Sequence, residues 1–300
     1  PTTLTLAAER MSTKPFLIEG IALWLITVAA GAGRAQEAPS RVILYLASDS
    51  SVVGHYRFLA NEKSRLVFDI PDDDPRVALL RDATAPRQLD TEIGVTIVSV
   101  PREEEEDRRY LVYWLGYQST GGDSRSLSPL QWDSIFRKAG RRASVDLTPR
   151  GAVQGVQVGS AAVRPVGQAL ARILGALALR VPADSVGVGS SWQSMVTITV
   201  NRPDGSPAQV SVRVTHRVRE LSSEADSLRA RIEFDGDAVS GSVGEPDVSG
   251  RYYGESVFDV TGGRYDHVLA LAELEVRWSA MEGLPPSRTL VEWRGEATRR

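Results

Sequence analysis

Few side chains in this sequence have the type and the spacing that catalysis or metal binding requires. Its three histidines are His55, His216 and His267, and no two of them stand at the spacing of paired metal ligands. The sequence contains no cysteine, which excludes thiolate nucleophiles, disulfides and cysteine-ligated metals. We therefore expect no zinc centre. His216, which lies between valines on an apolar strand face, is predicted to be a buried, hydrogen-bonded structural residue.

Acidic side chains offer two further arrangements, and neither is complete. Four aspartates could supply oxygen ligands to calcium: Asp69, Asp72, Asp73 and Asp74. They lack the regular spacing of a calcium-binding loop, and the last of them is expected to cap a helix. Asp266 beside His267 could form part of a catalytic triad, but neighbouring side chains of a strand point to opposite faces.

The short motifs of common enzyme classes do not occur in the sequence. We find no G-x-S-x-G, H-E-x-x-H, P-loop or G-x-G-x-x-G pattern. A carboxylate pair for glycoside hydrolysis stays open as an alternative, because acidic residues are abundant and no pattern selects two of them. The sequence thus predicts no metal, no cofactor and no identifiable catalytic residue, and it favours a protein that is not an enzyme.

Alternation of apolar and polar residues is the strongest structural signal. Over residues 210–218 every second position except His216 is valine, and the positions between them are serine, arginine and threonine. Further strand-like segments are residues 42–47, 52–59, 65–70, 92–100, 109–118, 143–147, 152–158, 195–200, 228–235, 272–279 and 291–294. Such alternation with short turns is typical of antiparallel strands with one apolar face. We predict a mainly β (α+β) fold, with a large curved antiparallel meander sheet or half-barrel.

About three helices are predicted between these strands, packed on the concave face of the sheet. Asp74-Pro75 should open a short helix over residues 76–80. Ser128-Pro129 should begin a second helix that Gly140 ends. The third and longest candidate is Pro165–Arg180, whose apolar residues recur at helical spacing.

The beginning of the chain, Met11–Ala35, has the three-part layout of a secretory signal peptide. Lys14 precedes the unbroken apolar run Ile21–Ala30, and small residues then favour cleavage after Ala35. The run is about half of the roughly 20 residues that span a bilayer, so an uncleaved anchor is the less favoured alternative. Residues 1–10 lie upstream of Met11, a candidate start of translation.

The mature protein is predicted to be water-soluble and to reside in the periplasm or outside the cell. Residues 36–41 form a short leader, and residues 42–298 form one β-rich domain, with sheet halves at 42–160 and 161–298 as an alternative division. No later segment reaches the apolar length of a membrane helix. Removing residues 1–35 takes away three basic and two acidic side chains, so the net charge moves from −3 to −4. This acidic balance excludes nucleic acid as the expected partner.

One segment carries a resemblance to known proteins. Gly250–Trp278 reads GRYYGESVFDVTGGRYDHVLALAELEVRW, in which a strand ends in Phe-Asp-Val-Thr before a Gly-Gly turn and a long return strand. Val145–Val153 repeats this pattern in shorter form. The segment resembles the half-barrel lipoprotein- and lipid-carrier superfamily of the bacterial envelope, and equally uncharacterised secreted β-rich bacterial families. The resemblance implies a half-barrel fold and an apolar ligand, and it assigns no catalytic residue.

Three functional hypotheses follow from an apolar sheet face that must be covered. In the first, an exported non-enzymatic protein binds a lipid, an acyl chain or a lipoprotein on the concave face. The candidate lining residues are Val212, Val214, Ile232, Phe234, Leu274, Val276 and Trp278. In the second, a helix fills that face and the protein is a structural or interaction module of the cell envelope. In the third, it is a hydrolase with unidentified carboxylates.

Overall fold

Eleven antiparallel strands form a single sheet in the part of the chain that the structure describes. The strands are β1 (Val52–Phe68), β2 (Arg87–Val100), β3 (Arg108–Gly121), β4 (Arg142–Leu147), β5 (Val153–Val158), β6 (Ser191–Asn201), β7 (Pro207–Glu224), β8 (Ser227–Ala238), β9 (Asp247–Asp259), β10 (Arg264–Trp278) and β11 (Ser287–Arg299). The helices are α1 (Arg76–Leu80), α2 (Pro129–Ala139) and α3 (Arg164–Ala176), and a 3-10 turn, Ala161–Val163, precedes α3.

The structure, a computed structural model, describes residues 39–47, 52–71, 73–80, 84–100, 108–121, 127–224, 227–239, 246–281 and 283–300. The predicted signal peptide, residues 11–35, lies outside these ranges, as do residues 1–10, the first part of the predicted leader and Asp72. Among the described residues, no helix has both the length and the apolar character that crossing a membrane requires.

The order of the strands confirms the predicted meander, with one pairing that departs from chain order. The sheet runs β5-β4-β3-β2-β1-β11-β10-β9-β8-β7-β6, so the first and last strands pair at its centre. The edge strands are β5 and β6, and α3, which connects them, packs against both. Because one helix about 10 Å wide contacts both edges, the sheet must curve around it. The sheet is open, and α3 fills the space between its edges.

Side-chain alternation divides the sheet into a buried concave face and a charged convex face, as predicted. In β7, Val212, Val214 and Val218 are fully buried, while Arg213 and Arg217 between them are exposed. Cross-strand ion pairs cover the convex face, for example Arg57 with Glu92 at 2.7 Å and Arg231 with Glu255 at 2.7 Å. Exposed pairs of this kind contribute at most about 1 kcal/mol each, so burial of the concave face stabilises the fold.

Two of the helices supply buried side chains to the core. Helix α2 begins at a Ser128 capping box and buries Trp132 and Phe136, which pack near Tyr117 and Trp114 of β3. Helix α3 buries most of one side: Val166, Gly167, Leu170, Ile173, Leu174 and Ala176. Helix α1 contains no buried residue, although Asp74 accepts the backbone N–H of Arg76 at 2.8 Å, as expected for its predicted capping role.

The predicted third helix, Pro165–Arg180, was four residues too long. Helix α3 ends at Ala176, and the chain continues in extended form with Leu177 and Ala178 buried. The hydroxyl of Tyr252, a fully buried residue, donates to the carbonyl of Ala176 at 2.6 Å and so satisfies one of the last helical carbonyls. Packing against the sheet therefore outweighs the helical spacing of the apolar residues.

Two strand predictions also differ from the structure. The segments 52–59 and 65–70 are joined in one continuous strand, β1, which ends at Phe68, because residues 60–64 pair with both β2 and β11. The segment 42–47 is not a strand, although Val42 forms an isolated bridge with Val186. We call residues 42–47 the strap, because Leu44 and Leu46 lie buried against the core.

Candidate functional site

The seven predicted lining residues are all buried in the hydrophobic core. They occupy the concave side of β7, β8 and β10, and none of them is more than 7% exposed. They are Val212, Val214, Ile232, Phe234, Leu274, Val276 and Trp278. A ligand on this part of the face would have to displace side chains that already contact one another.

His216 is buried and hydrogen-bonded, as predicted for a structural histidine. Its ring stacks on Trp192 with centroids 4.9 Å apart, and its Nε2 lies 2.8 Å from the hydroxyl oxygen of Ser194. Burial, assisted by the nearby Arg180 guanidinium, lowers the pKa of His216 to about 3. An imidazole with so low a pKa is a weak base and would remove the proton of the Ser194 hydroxyl poorly at neutral pH. The pair is therefore interpreted as a hydrogen bond within the core.

Asp266 is paired with arginines at one end of the sheet. Its carboxylate lies 2.8 Å from Arg299 and 3.3 Å from Arg229. His267, in turn, lies 3.3 Å from the Thr298 hydroxyl across the strand pair. The two side chains thus serve separate contacts, and the structure does not bring them together as parts of a triad.

Two of the acidic residues near α1 lie beside arginines. Asp74 pairs with Arg76 at 2.7 Å, and Asp69 approaches Arg288 at 3.9 Å. Across the described residues, no group of three or more His, Asp or Glu side chains has a geometry that could hold a metal ion.

An apolar cavity of about 90 Å³ lies between α3, strands β1 to β4 and the strap. We call it the apolar cavity. Its walls include Leu170 and Leu174 of α3, Tyr56 and Phe58 of β1, and Leu46 of the strap. The polar groups of its tyrosines are occupied, because the Tyr56 hydroxyl donates to the Tyr265 carbonyl at 2.7 Å. The cavity therefore offers apolar surface and almost no free hydrogen-bonding group.

The strap borders this cavity at Leu46, and a few hydrogen bonds hold it in place. The Ala47 N–H donates to the Gly263 carbonyl at 2.8 Å, and the Tyr110 hydroxyl donates to the Ala47 carbonyl at 2.8 Å. At its other end, Val42 exchanges two backbone hydrogen bonds of 2.7 Å with Val186. Gly263 has φ of +59°, and a side chain there would meet the strap backbone at 2.8 Å. A glycine at this turn is thus required for the strap to lie so close.

A second, polar space lies along the middle of β1. Two adjoining cavities of about 210 and 230 Å³ share Glu62, Leu89 and Arg172 as walls. We call them together the polar cleft. Its remaining walls are Ala60, Ser64, Arg87, Gln88, Thr91, Tyr117, Ser119, Pro165, Gln168, Ala169, Ile173, Trp293, Asn201 and Gly205. The cleft thus combines one acidic side chain, two basic ones, hydroxyls, amides and two aromatic rings.

Glu62 is the unusual residue of the polar cleft, because it occupies the inward row of β1. Burial raises the pKa of its carboxyl, and the guanidinium of Arg172 opposes this only in part. Sequence analysis missed this residue because the two strands predicted at 52–59 and 65–70 left residue 62 in the gap between them. Treated as one strand, the alternation Ala60, Glu62, Ser64 would have placed a carboxylate on the concave face.

Comparisons with known proteins assign no family to the chain. No protein-family model matches it, and no curated protein matches it. The structure of DynF from the dynemicin biosynthesis pathway of Micromonospora chersina aligns with 86% of this chain and 88% of its own chain. The sequence identity is 9% and the TM-score is 0.19, a likeness too weak to support an argument about fold or function.

Proposed function

We propose that this protein is an exported, non-enzymatic binding protein that takes the apolar end of a ligand, such as an acyl chain of a lipid or lipoprotein. The apolar cavity carries this proposal, because it is lined almost entirely by apolar side chains and is bordered by the strap. Apolar cavities of this kind stay dry and bind apolar groups.

The size of the cavity limits what it can hold. An apolar cavity of about 150 Å³ binds benzene, whereas the apolar cavity here measures about 90 Å³. It therefore suits the terminal carbons of a chain rather than a whole lipid. A longer chain would enter if the strap, which a few backbone hydrogen bonds hold, moved away from Gly263.

Native mass spectrometry tests this proposal on the mature chain purified from cells. We expect co-purified lipid or fatty acid, or uptake of added octanoate by the protein without ligand. An unliganded mass that stays unchanged after octanoate is added would overturn the proposal.

A pair of alanine substitutions connects this binding to the apolar cavity. Ala297 lines the cavity and Ala270 does not, although both are buried on neighbouring central strands. Ala297→Val should fill the cavity and abolish octanoate uptake with little change in stability. Ala270→Val should retain uptake but lower the free energy of unfolding by about 1–3 kcal/mol, because its site is already packed. Equal uptake by both variants would place the ligand elsewhere.

A second candidate function, a structural or interaction module of the cell envelope, is favoured by a different observation. The concave face is otherwise filled by α3 and by the seven buried residues that sequence analysis had assigned to a ligand. A core of this kind needs no ligand for stability. Under this function, removal of all lipid would leave the unfolding temperature unchanged.

Export is supported by the sequence of residues 11–35 and is tested separately. We expect the protein recovered from the periplasm or culture medium to begin at Gln36, as determined by N-terminal sequencing. Recovery of the chain with Met11 at its amino terminus, in the cytoplasmic fraction alone, would contradict this part of the proposal.

A further inference from the structure

The polar cleft contains two opposite charges that do not pair with each other. Glu62 projects into it from β1, and Arg172 projects into it from α3. Among the described residues, neither side chain forms a hydrogen bond or an ion pair, and Arg172 is exposed to the cleft. This contrasts with the convex face, where arginines and carboxylates are joined in close pairs.

An inward carboxylate is costly when the cation near it, Arg172, offsets its burial only in part, and this arrangement needs an explanation. The fold places Glu62 half-buried in the polar cleft, and burial disfavours its charged form. A residue selected only for packing at this position would be apolar, like Phe58 in the same row. A bound cation would add to the charge that Arg172 supplies only in part, and Arg172 would at the same time hold an anion.

We propose that the polar cleft binds a small zwitterion, with the ligand's ammonium against Glu62 and its anionic group against Arg172. Arg87 also lines the larger cavity and adds a second positive charge to the cleft. Tyr117 and Trp293 provide aromatic walls that favour a cationic group, and Ser64 and Ser119 provide hydroxyls. Cavities of about 210 and 230 Å³ have the volume for a molecule of amino-acid size.

This site is separate from the apolar cavity. The apolar cavity touches β1 at Val53, Tyr56 and Phe58, whereas the polar cleft touches it at Ala60, Glu62 and Ser64. The two spaces share no lining residue, so binding in one can be measured and lost without the other.

Isothermal titration of the mature chain with defined zwitterions tests the proposal. The probes are glycine, L-alanine, L-leucine and phosphoethanolamine, and they distinguish a free amino acid from a lipid headgroup as the source of the ligand. Two derivatives of the tightest probe, one with its ammonium group blocked and one with its anionic group blocked, serve as controls. Each should bind at least roughly tenfold more weakly than the probe itself, since each loses one charged contact. Binding of none of the four zwitterions, or equal binding of the blocked forms, would overturn the proposal.

Two neutral substitutions place the ligand in the polar cleft. Glu62→Gln and Arg172→Gln should each weaken binding of the tightest probe by roughly tenfold or more. The matched controls are Glu292→Gln on the convex face and Arg164→Gln, exposed on the same helix, and both should bind like the unmodified protein. Glu62→Gln should remain folded, because an amide of the same shape is buried more easily than a carboxylate. Unchanged binding in both cleft variants would refute the assignment.

Discussion

At the scale of single residues, the buried histidine gives this fold a specific dependence on pH. His216 is 1% exposed, and its pKa in the folded protein is lowered to about 3 by burial. Between that value and its ordinary value, about 6.5, the unfolded chain binds a proton that the folded chain does not. The free energy of unfolding should therefore fall as the pH drops through this window, by up to about 1.4 kcal/mol per pH unit from this residue.

Two variants separate the histidine from the other groups that titrate in acid. His216→Gln cannot titrate and should lose this part of the pH slope in urea unfolding. Ser194→Ala removes the hydrogen bond but keeps the buried imidazole, so its slope should match that of the unmodified protein. Carboxylates with lowered pKa, such as Asp74 and Glu92, contribute equally to all three proteins. Identical slopes for His216→Gln and the unmodified protein would show that burial does not hold the imidazole neutral.

At the scale of elements, the two glycines of α3 should respond oppositely to substitution. A Cβ at Gly175 would lie 3.6 Å from the Thr197 carbonyl, which is an ordinary contact. A Cβ at Gly167 would lie only 2.6 Å from a methyl of Val158 on the edge strand β5. Gly175→Ala should raise the free energy of unfolding by about 0.5–1 kcal/mol through helix propensity. Gly167→Ala should lower it, because the clash separates α3 from β5.

Urea unfolding of both variants measures this difference, and each serves as the control for the other. The helix-propensity gain is similar at the two positions, so the difference between their free energies reports the packing of α3 on β5. Stabilisation of equal size in both variants would show that α3 does not sit against that edge of the sheet.

Elements with a clear periodicity were predictable from the sequence, and their ends were less so. Strand β7 and helix α2 were recognised because valines alternate in one and Ser128 and Gly140 mark the ends of the other. The continuous strand β1 was missed because Ala60, Glu62 and Ser64 break the apolar row that identifies a strand face. The same three residues line the polar cleft, so the position at which the strand pattern fails coincides with the proposed zwitterion site. The end of α3 depends on contacts with Tyr252, which lies far away in the sequence.

At the scale of the whole molecule, the pairing of β1 with β11 is the feature that local patterns could not predict. Alternation identifies a strand and its apolar face, but it does not state which strand lies beside it. Chain order correctly suggested every other pairing in the described sheet. The central pairing joins β1–β5 to β6–β11, and α3 joins the same two groups of strands again at the open side.

These two connections predict that the sheet unfolds as one cooperative unit. Strand β11 pairs over its whole length with residues 56–68 of β1, and α3 contacts both edge strands, so neither group of strands has a separate core. Under native conditions, hydrogen exchange measured by mass spectrometry should give the same opening free energy for peptides from β2 and from β9. Edge strands β5 and β6 should exchange faster through local opening. If β2 opened several kcal/mol more easily than β9, the two groups would be separate folding units and the central pairing would be weak.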